Sequence, residues 1–198
     1  GYGGSFIQRL YAENPQPYNS WGNGSAMRVS AIGYAFDDLE AVISDAERSA
    51  AISHNHPEGI KGAQATSAAV FLARSTKDRK KIKELIEKRF GYDLSRELTE
   101  IRPAYQFDVS CQGSVPEAII SFLVSASYED AVRNAISLGG DSDTLACIAG
   151  GIAEAFYGAV PDSIVEKARA ILTDDLWQVV EKFYRKFQLP GVDFLVTL

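Results

Sequence analysis

Histidine and cysteine are scarce in this sequence, which limits the kinds of site it can build. The 198 residues include two cysteines, Cys111 and Cys147, and two histidines, His54 and His56. The cysteines have neither CxxC spacing nor a nearby histidine, which argues against a disulfide framework and a zinc site. We therefore expect both thiols to be reduced, as in a cytoplasmic protein.

Long apolar runs and an excess of positive charge are also missing. No run reaches the roughly 18 to 20 apolar residues needed to cross a bilayer, and no charged-then-apolar leader opens the sequence. Lysine and arginine number 20 against 26 acidic residues, a net charge of −6, which disfavours binding to a nucleic-acid backbone. An initiator methionine is absent too. The sequence opens with "GYGGSF", so we expect it to begin inside a longer domain.

Apolar residues at spacings of three and four, in contrast, are abundant. Period-two alternation is scarce after residue 37, so the pattern predicts an all-α protein. The hydrophobic fraction of 46% is enough for a full-sized core, and no linker, repeat or low-complexity segment divides the chain. Residues 1–198 are therefore predicted to form one domain.

Start and stop signals place most of the helices. Asp37 and Asp38 are candidate caps of a helix that ends at "SHNHPEG", and Pro57 can begin the next. Gly91 closes an amphipathic helix whose face "KDRKKIKELIEKR" is either an anion-binding surface or a solvated face with acid–base pairs. Later helices are predicted from Pro116, after Ser127, after Asp143, from Pro161 to about Ile171, and from Asp175 to about Phe187 with an apolar stripe of Leu176, Val179, Val180, Phe183 and Phe187.

Two further features concern the end of the chain and its centre. The tail "LPGVDFLVTL" breaks the helical pattern and is predicted to be a strand, an arm on a neighbour or disordered. The helix after Asp143 is rich in Ala, Gly and Ile on every side, which is typical of a helix in the middle of a bundle.

The stretch "GGDSDT" is the first candidate site. Asp141, Asp143 and Thr144 follow two glycines and precede this central helix. An aspartate before a helix most often caps it. A second carboxylate beside a core helix would be costly if buried unpaired, and two acids with a hydroxyl suit a hard cation such as Mg²⁺. A metal is therefore the partner we expect for these acids.

The stretch "SWGNGSAMR" is the second candidate site. Asn-Gly at positions 23 and 24 favours a turn with positive φ, and a glycine-rich turn that runs into a helix can also hold a phosphate. The nearby "SHNHPEG" carries both histidines. Their spacing does not favour joint chelation, and a capping or core histidine is the common alternative.

Taken together, these segments resemble the ADP-ribosylglycohydrolase family, the DraG-like ADP-ribosylhydrolases. The resemblance lies in "GNGSAMR" at 22–28, "SHNHPEGIKGA" at 53–63, "VPEAI" at 115–119 and "LGGDSDTLACIAGGIAEAFYG" at 138–158. It implies a compact orthogonal bundle of helices and a dinuclear Mg²⁺ centre, sometimes Mn²⁺, at the base of an ADP-ribose cleft. The metals then contact the ribose hydroxyls and a water at the carbon whose glycosidic bond is cut.

The resemblance also implies roles for individual residues. Asp141, Asp143 and Thr144 match the C-terminal half of the metal site, and the two acids are the catalytic candidates. His54 matches a histidine that contacts the ligand, and Gly3 and Gly4 match a mobile glycine loop over the substrate. The loop that lines the diphosphate and ribose corresponds to Ser20, Trp21, Gly22, Asn23, Gly24 and Met27.

One part of the family pattern is missing. Members begin with an acidic "GD" segment and a "TDDT"-type motif, which supply the other metal ligands, and neither occurs here. We therefore expect half of a metal site, completed by an N-terminal segment that could act in trans. Three functions follow as alternatives: a Mg²⁺-dependent hydrolase of ADP-ribose linked to a protein or small molecule, a non-catalytic ADP-ribose-binding or structural protein, and a helical interaction module in which the acids are caps.

Overall fold

The computed structural model describes residues 3–191, and within that range the chain folds into helices joined by loops. The helices are Gly4–Leu10 (α1), Gly24–Met27 (α2), Ile32–Ala35 (α3), Leu39–Ala51 (α4), Pro57–Thr76 (α5), Arg79–Phe90 (α6), Leu98–Ile101 (α7), Cys111–Leu123 (α8), Tyr128–Ser137 (α9), Ser142–Tyr157 (α10), Asp162–Ile171 (α11) and Asp174–Phe187 (α12). Extended pairing over the same range is limited to one isolated bridge, between Gly22 and Ser110. The all-α prediction is confirmed.

Several helix ends lie where the sequence predicts them, set by side-chain caps, a proline and a glycine. Asp38 accepts a hydrogen bond from the N–H of Ala41 at the start of α4, over 2.9 Å, and Ser127 caps α9 in the same way. Pro57 is the first residue of α5, and Gly91 ends α6 with a φ of +71°, a conformation that favours glycine. These predicted boundaries are confirmed.

The predicted start of α8 is wrong. Helix α8 begins at Cys111 rather than at Pro116, because the Ser110 hydroxyl oxygen accepts the N–H of Gly113 at 3.0 Å and caps the helix earlier. Pro116 lies inside the helix, where it lacks the N–H that would bond to the carbonyl of Gln112. The additional turn brings Cys111 against the loop around Gly22.

Helices α5, α8 and α10 meet in the core, and small residues bring them together. A Cβ placed on Gly62 of α5 would lie 2.4 Å from the Cys111 sulfur on α8, so only glycine fits there. A Cβ on Gly151 of α10 would lie equally close to the Ser30 hydroxyl oxygen. The predicted central position of α10 is confirmed by its buried residues, Thr144, Leu145, Ile148, Ala149, Gly150, Ile152, Ala153 and Ala155.

The charged face of α6 and the two thiols also agree with the sequence. Lys80 pairs with Glu84 and Lys83 with Glu87, which supports the solvated face rather than an anion-binding surface. Cys111 is buried and Cys147 exposed, and both are free thiols. None of the helices in the described range combines the length and apolar character that crossing a bilayer requires.

The last two helices depart from the predicted packing. Helix α11 starts at Asp162, one residue after the predicted Pro161, and α12 starts at Asp174 rather than Asp175. Leu176 and Val179 were expected on a buried stripe, but Val179 is 63% exposed because α12 turns Trp177 inward, where the Arg169 guanidinium lies over its ring. Most of the apolar tail, residues 192–198, lies outside the described residues.

Candidate functional site

The loop from Ser20 to Gly24 is held between two distant segments of the chain. On one side, the N–H of Asn23 donates to the carbonyl of Val109 at 2.7 Å and the N–H of Cys111 donates to the carbonyl of Trp21 at 3.0 Å. On the other side, the N–H of Ser20 donates to the carbonyl of Ser53 at 3.4 Å. The loop is therefore a fixed part of the fold.

A buried thiol and a buried hydroxyl reinforce the same loop from below. Cys111 Sγ donates to the carbonyl of Gly22 at 3.2 Å. Ser25 Oγ donates to the carbonyl of Gly59 at 2.7 Å and lies 3.2 Å from the carbonyl of Gly22. Burial raises the pKa of Cys111 to about 11, so the thiol stays protonated and keeps its hydrogen.

The glycines of this loop are required by close approach and not by positive φ. Asn23 has φ −70° and neither Gly22 nor Gly24 has positive φ, so the expected Asn-Gly turn of that kind is wrong. A Cβ on Gly24 would instead lie 3.3 Å from His54 Nε2, and one on Gly22 would lie 3.2 Å from Ser20 Oγ. Any side chain at these positions would fill the space between the loop and the histidine.

Two of the backbone N–H groups expected to face a phosphate are already used. The N–H of Gly22 donates to Ser20 Oγ at 3.1 Å, and that of Asn23 donates to Val109. Only the N–H of Gly24 remains as a backbone candidate in the "GNG" segment. The backbone of this loop therefore has fewer free N–H groups for a diphosphate than the sequence pattern predicts.

His54 is buried and keeps a neutral ring. Its Nδ1 lies 2.7 Å from Ser53 Oγ, and the same hydroxyl oxygen accepts a hydrogen bond from the Arg28 guanidinium at 3.0 Å. Burial, followed by the charge of Arg28, lowers the pKa of His54 to about 4. The other histidine, His56, has a different role, because its ring caps α5 by accepting the N–H of Glu58.

Asp141 has a hydrogen-bond partner within the chain, and that partner is Asn23. The Asn23 side-chain amide donates to Asp141 Oδ2 at 2.6 Å, across 118 positions of sequence. Asn23 is only 6% exposed, so this hydrogen bond is largely shielded from water. Asp141 occupies the N-cap position of α10 without capping it, which is contrary to the simplest expectation for an aspartate before a helix.

The turn before Asp141 is shaped by its two glycines. Gly139 and Gly140 have φ values of +75° and +59°, which residues with a side chain rarely adopt. A Cβ on Gly140 would lie 2.8 Å from the carbonyl oxygen of Gln106 and 2.9 Å from the ring of Tyr105. The segment 105–106 thus packs directly on the residue that precedes Asp141.

Asp143 and Thr144 differ in their surroundings. Asp143 is exposed, and its Oδ1 accepts the N–H of Thr144 at 3.0 Å. Thr144 is buried, and its hydroxyl lies 4.0 Å from the Met27 sulfur, a weak acceptor. Because Asp143 is exposed and Asp141 is hydrogen-bonded to Asn23, neither carboxylate is buried without a partner.

These three residues offer the type of ligand that a hard cation prefers, but too few ligands to complete its coordination. Asp141, Asp143 and Thr144 offer oxygens, which Mg²⁺ prefers, but Mg²⁺ takes about six ligands. Within residues 3–191, no group of three or more His, Cys, Asp and Glu side chains is arranged to hold a metal ion. These three residues therefore supply the type of ligand that Mg²⁺ prefers, and the magnesium site itself stays a prediction.

Among the remaining predicted residues, Trp21 is 47% exposed beside the glycine loop, and Met27 is exposed next to Thr144. Gly4 is the first residue of α1 and therefore lies in a helix rather than in the predicted loop, and Gly3 is the residue before that helix. A Cβ on either glycine would meet nothing within 4 Å. The structure thus brings the glycine loop, His54 and the acidic turn into one connected site and leaves Gly3 and Gly4 outside these contacts.

Several contributors were missed by the sequence analysis. Arg28 and Ser53 hold the ring of His54, and the segment from Tyr105 to Val109 packs on both the glycine loop and the acidic turn. That segment has no helical period and no motif of its own. Its contribution arises from tertiary contacts between loops at the ends of helices.

These observations define a class of protein: an all-α fold in which an acidic turn is hydrogen-bonded to a glycine-rich loop. The chain belongs to the ADP-ribosylglycohydrolase family, whose model matches residues 2–193.

Individual relatives agree with this assignment. The protein named ADP-ribosylhydrolase ARH3 of Gallus gallus is 29% identical over 76% of this chain and 54% of its own length. ARH3 of Homo sapiens is 28% identical over 85% of this chain and 59% of its own length. A solved structure titled "ADP-ribosylglycohydrolase-related protein complex" shares the fold with a TM-score of 0.65 and 22% identity, covering 82% of this chain and 60% of that one. The chain therefore spans between half and three fifths of the relatives named here.

The clamp between Asn23 and Asp141 leads to a first prediction. Asn23→Asp should destabilise the fold by about 1 to 3 kcal/mol at pH 7, because it sets two carboxylates at hydrogen-bonding distance. The loss should shrink as the pH falls toward 4, where the pair can share a proton. Chemical unfolding measured at several pH values tests this, with Asn55→Asp as the matched control on an exposed loop. Equal effects of the two variants at every pH would contradict the clamp.

His54 gives a second prediction. Its folded-state pKa of about 4 lies below the ordinary value of 6.5, so the unfolded chain takes up the proton first. The folded protein should therefore lose about 2 kcal/mol of stability as the pH falls from 6.5 to 4. His54→Gln should remove that part of the pH dependence, and Arg28→Gln should reduce it. If the free energy of unfolding changed with pH in the same way for the parent and His54→Gln, burial of the ring would not cause the pH dependence.

Proposed function

We propose that this domain binds ADP-ribose and takes part in Mg²⁺-dependent hydrolysis of the glycosidic bond that links ADP-ribose to a protein side chain or a small molecule. Family membership and the printed name of the ARH3 relatives support this class of reaction. The observation that carries it is the hydrogen bond between Asn23 and Asp141, which joins the loop expected to bind ligand to the turn expected to bind metal. Two free thiols suit a cytoplasmic location.

His54 has the geometry of a neutral hydrogen-bond donor toward a ligand. Arg28 can only donate to Ser53 Oγ, so the Ser53 hydroxyl can direct its own proton to His54 Nδ1. The proton of the neutral ring is then on Nε2, which faces the space beside Gly22 and Gly24. An N–H there, together with the N–H of Gly24, would suit the oxygens of a phosphate or ribose.

The exposed ring of Trp21 suits one wall of the cleft. It follows the segment that hydrogen-bonds to Ser53 and precedes the glycines that approach His54, so a ligand held by the loop would lie near it. Met27, exposed beside Thr144, would provide an apolar contact on the side of the acidic turn. Apolar surfaces with a few directed polar groups are typical of small-molecule sites.

Magnesium, or manganese in its place, would be held in part by Asp141, Asp143 and Thr144. A divalent ion supplies charge stabilisation and an activated water in reactions of this kind. The chain's own contribution is to orient Asp141 through Asn23 and to present Asp143 at the surface. Three oxygens are too few for an octahedral ion, and further ligands from a family-type N-terminal segment, in the same chain or in trans, stay a prediction.

A second function has support from the same count of ligands. A domain that has the complete ligand loop but only three residues to bind the metal would bind ADP-ribose without hydrolysing it. This alternative keeps the contacts of the ligand loop and requires no activated water. Binding and hydrolysis therefore need separate measurements.

The position of Trp21 makes binding observable. Trp177 is 5% exposed and Trp21 is 47% exposed, so a variant with Trp177→Phe reports from the loop alone. Its fluorescence should change on saturation with ADP-ribose, and less on addition of AMP or ribose 5-phosphate. Gly24→Val should weaken that response because the added methyl groups would enter the space against His54. An emission spectrum indifferent to ADP-ribose would place the ligand elsewhere.

Hydrolysis is tested by the release of ADP-ribose from Arg- and Ser-modified peptides with and without Mg²⁺. We expect little release by these 198 residues alone, and metal-dependent release once a family-type N-terminal segment is fused or added.

Asp143→Asn should then abolish release without loss of fold, since the residue is exposed. Asp162→Asn, a similar change in the first turn of α11, is the control. Full turnover by the 198 residues would overturn the half-site, and undiminished turnover by Asp143→Asn would overturn its role.

A further inference from the structure

One side of helix α12 is apolar and exposed in the folded chain. Leu176 and Val179 are neighbours on the helix surface and are 52% and 63% exposed. Phe183 follows one turn later and is partly buried, with its ring packed edge-on against Tyr34. Isolated exposed apolar residues are ordinary, whereas apolar residues at helical spacing form a continuous surface that another helix can cover.

The other side of α12 attaches the helix to the rest of the chain. Trp177 is 5% exposed, and the Tyr184 hydroxyl donates a hydrogen bond to the Glu154 carboxylate on α10. These contacts fix the rotation of α12 about its own axis. Leu176 and Val179 therefore stay at the surface, because turning them inward would expose Trp177.

Charges of opposite sign lie at the two ends of the exposed side. Asp175, Val179, Lys182 and Lys186 follow one another at spacings of four, three and four residues, so they share one stripe along the helix. All four are exposed. Neither Asp175 nor Lys186 forms an ion pair within residues 3–191. The stripe thus has an unpaired acid at its start, an apolar residue near its middle and an unpaired base at its end.

We infer that this side of α12 docks α12 of a second copy of the chain, in antiparallel orientation about a two-fold axis. Asp175 of each copy then faces Lys186 of the other copy. Val179 packs beside the aliphatic stem of Lys182 of the other copy, whose ammonium group stays in water. A parallel pairing would set like charges against each other, so the order of the charges selects the antiparallel one.

The same order of charges favours a second copy over an unrelated partner. In a two-fold interface one surface patch meets an identical patch, so it must be complementary to itself. A stripe with an acid at one end and a base at the other meets this condition when it is reversed. The surface of α12 therefore matches its own copy without any further segment.

The length of α12 limits the strength of this contact. The helix has 14 residues and is about 21 Å long. Contact along one such helix buries less than about 1,200 Å², the lower limit for stable complexes, so we expect a reversible dimer with a micromolar dissociation constant. The contact uses no residue of the glycine loop or the acidic turn, and its failure would leave the proposed function untouched.

Sedimentation velocity over a range of protein concentrations tests the association. We expect a shift from monomer to dimer that does not continue to larger species. Val179→Glu places a carboxylate in the apolar part of the stripe and should weaken the dimer by about tenfold or more. Its thermal stability should match the parent, since Val179 is exposed. A monomer at every concentration up to the solubility limit, or a dimer unaffected by Val179→Glu, would overturn the inference.

Charge reversal tests the antiparallel orientation. Asp175→Lys and Lys186→Asp should each weaken the dimer by about threefold to tenfold, because each sets like charges against each other. The double variant should regain the parent affinity. Since the two residues lie about 16 Å apart along one helix, this rescue can come only from contact between two copies.

Arg185→Asp is the matched control for these variants. It makes the same change of charge in the last turn of α12, but on a different side of the helix, and should associate like the parent. An equal loss from Arg185→Asp would show a general effect of charge at the helix end. That result, or a double variant as weak as the single ones, would rule out the antiparallel pairing.

Discussion

The hydrogen bond from Asn23 to Asp141 is the contact on which the rest of the site depends. It joins two segments that are 118 positions apart in the sequence, and it provides a donor for a carboxylate at the start of α10, a largely apolar helix. Without it, Asp141 would lose its partner and the glycine loop would lose its link to α10. The buried amide of Asn23 therefore orients an acid, a role distinct from touching the ligand itself.

Most of the helical framework could be predicted from the sequence because local signals determine it. Asp38, Pro57, Ser127 and Gly91 act within one turn of their own positions, and the structure confirms each. Pro116 shows the limit of such signals. A proline marks a preferred helix start, but the cap at Ser110 begins the helix earlier, and the remaining contacts of α8 tolerate the missing N–H.

The sequence predicted which residues come together in the candidate site better than it predicted what each of them does. Asn23, Gly24, His54 and Asp141 do lie in one connected region. Their roles depend on neighbours that no local pattern reveals: the approach of His54 explains Gly24 better than a turn does, and Val109 uses an N–H that a phosphate was expected to take. The packing of Tyr105 on Gly140 could not be predicted, because it links a loop without a motif to a turn 35 residues later.

The site is built from loops between helices and from the first residues of the helices that follow them: residues 20–24, 53–54, 105–111 and 139–144. None of these loops touches its partners until the helices around it have packed, so the site exists only in the fully folded chain. A ligand that binds there binds the native state alone, so it raises the free energy of unfolding by an amount that grows with its concentration relative to its dissociation constant.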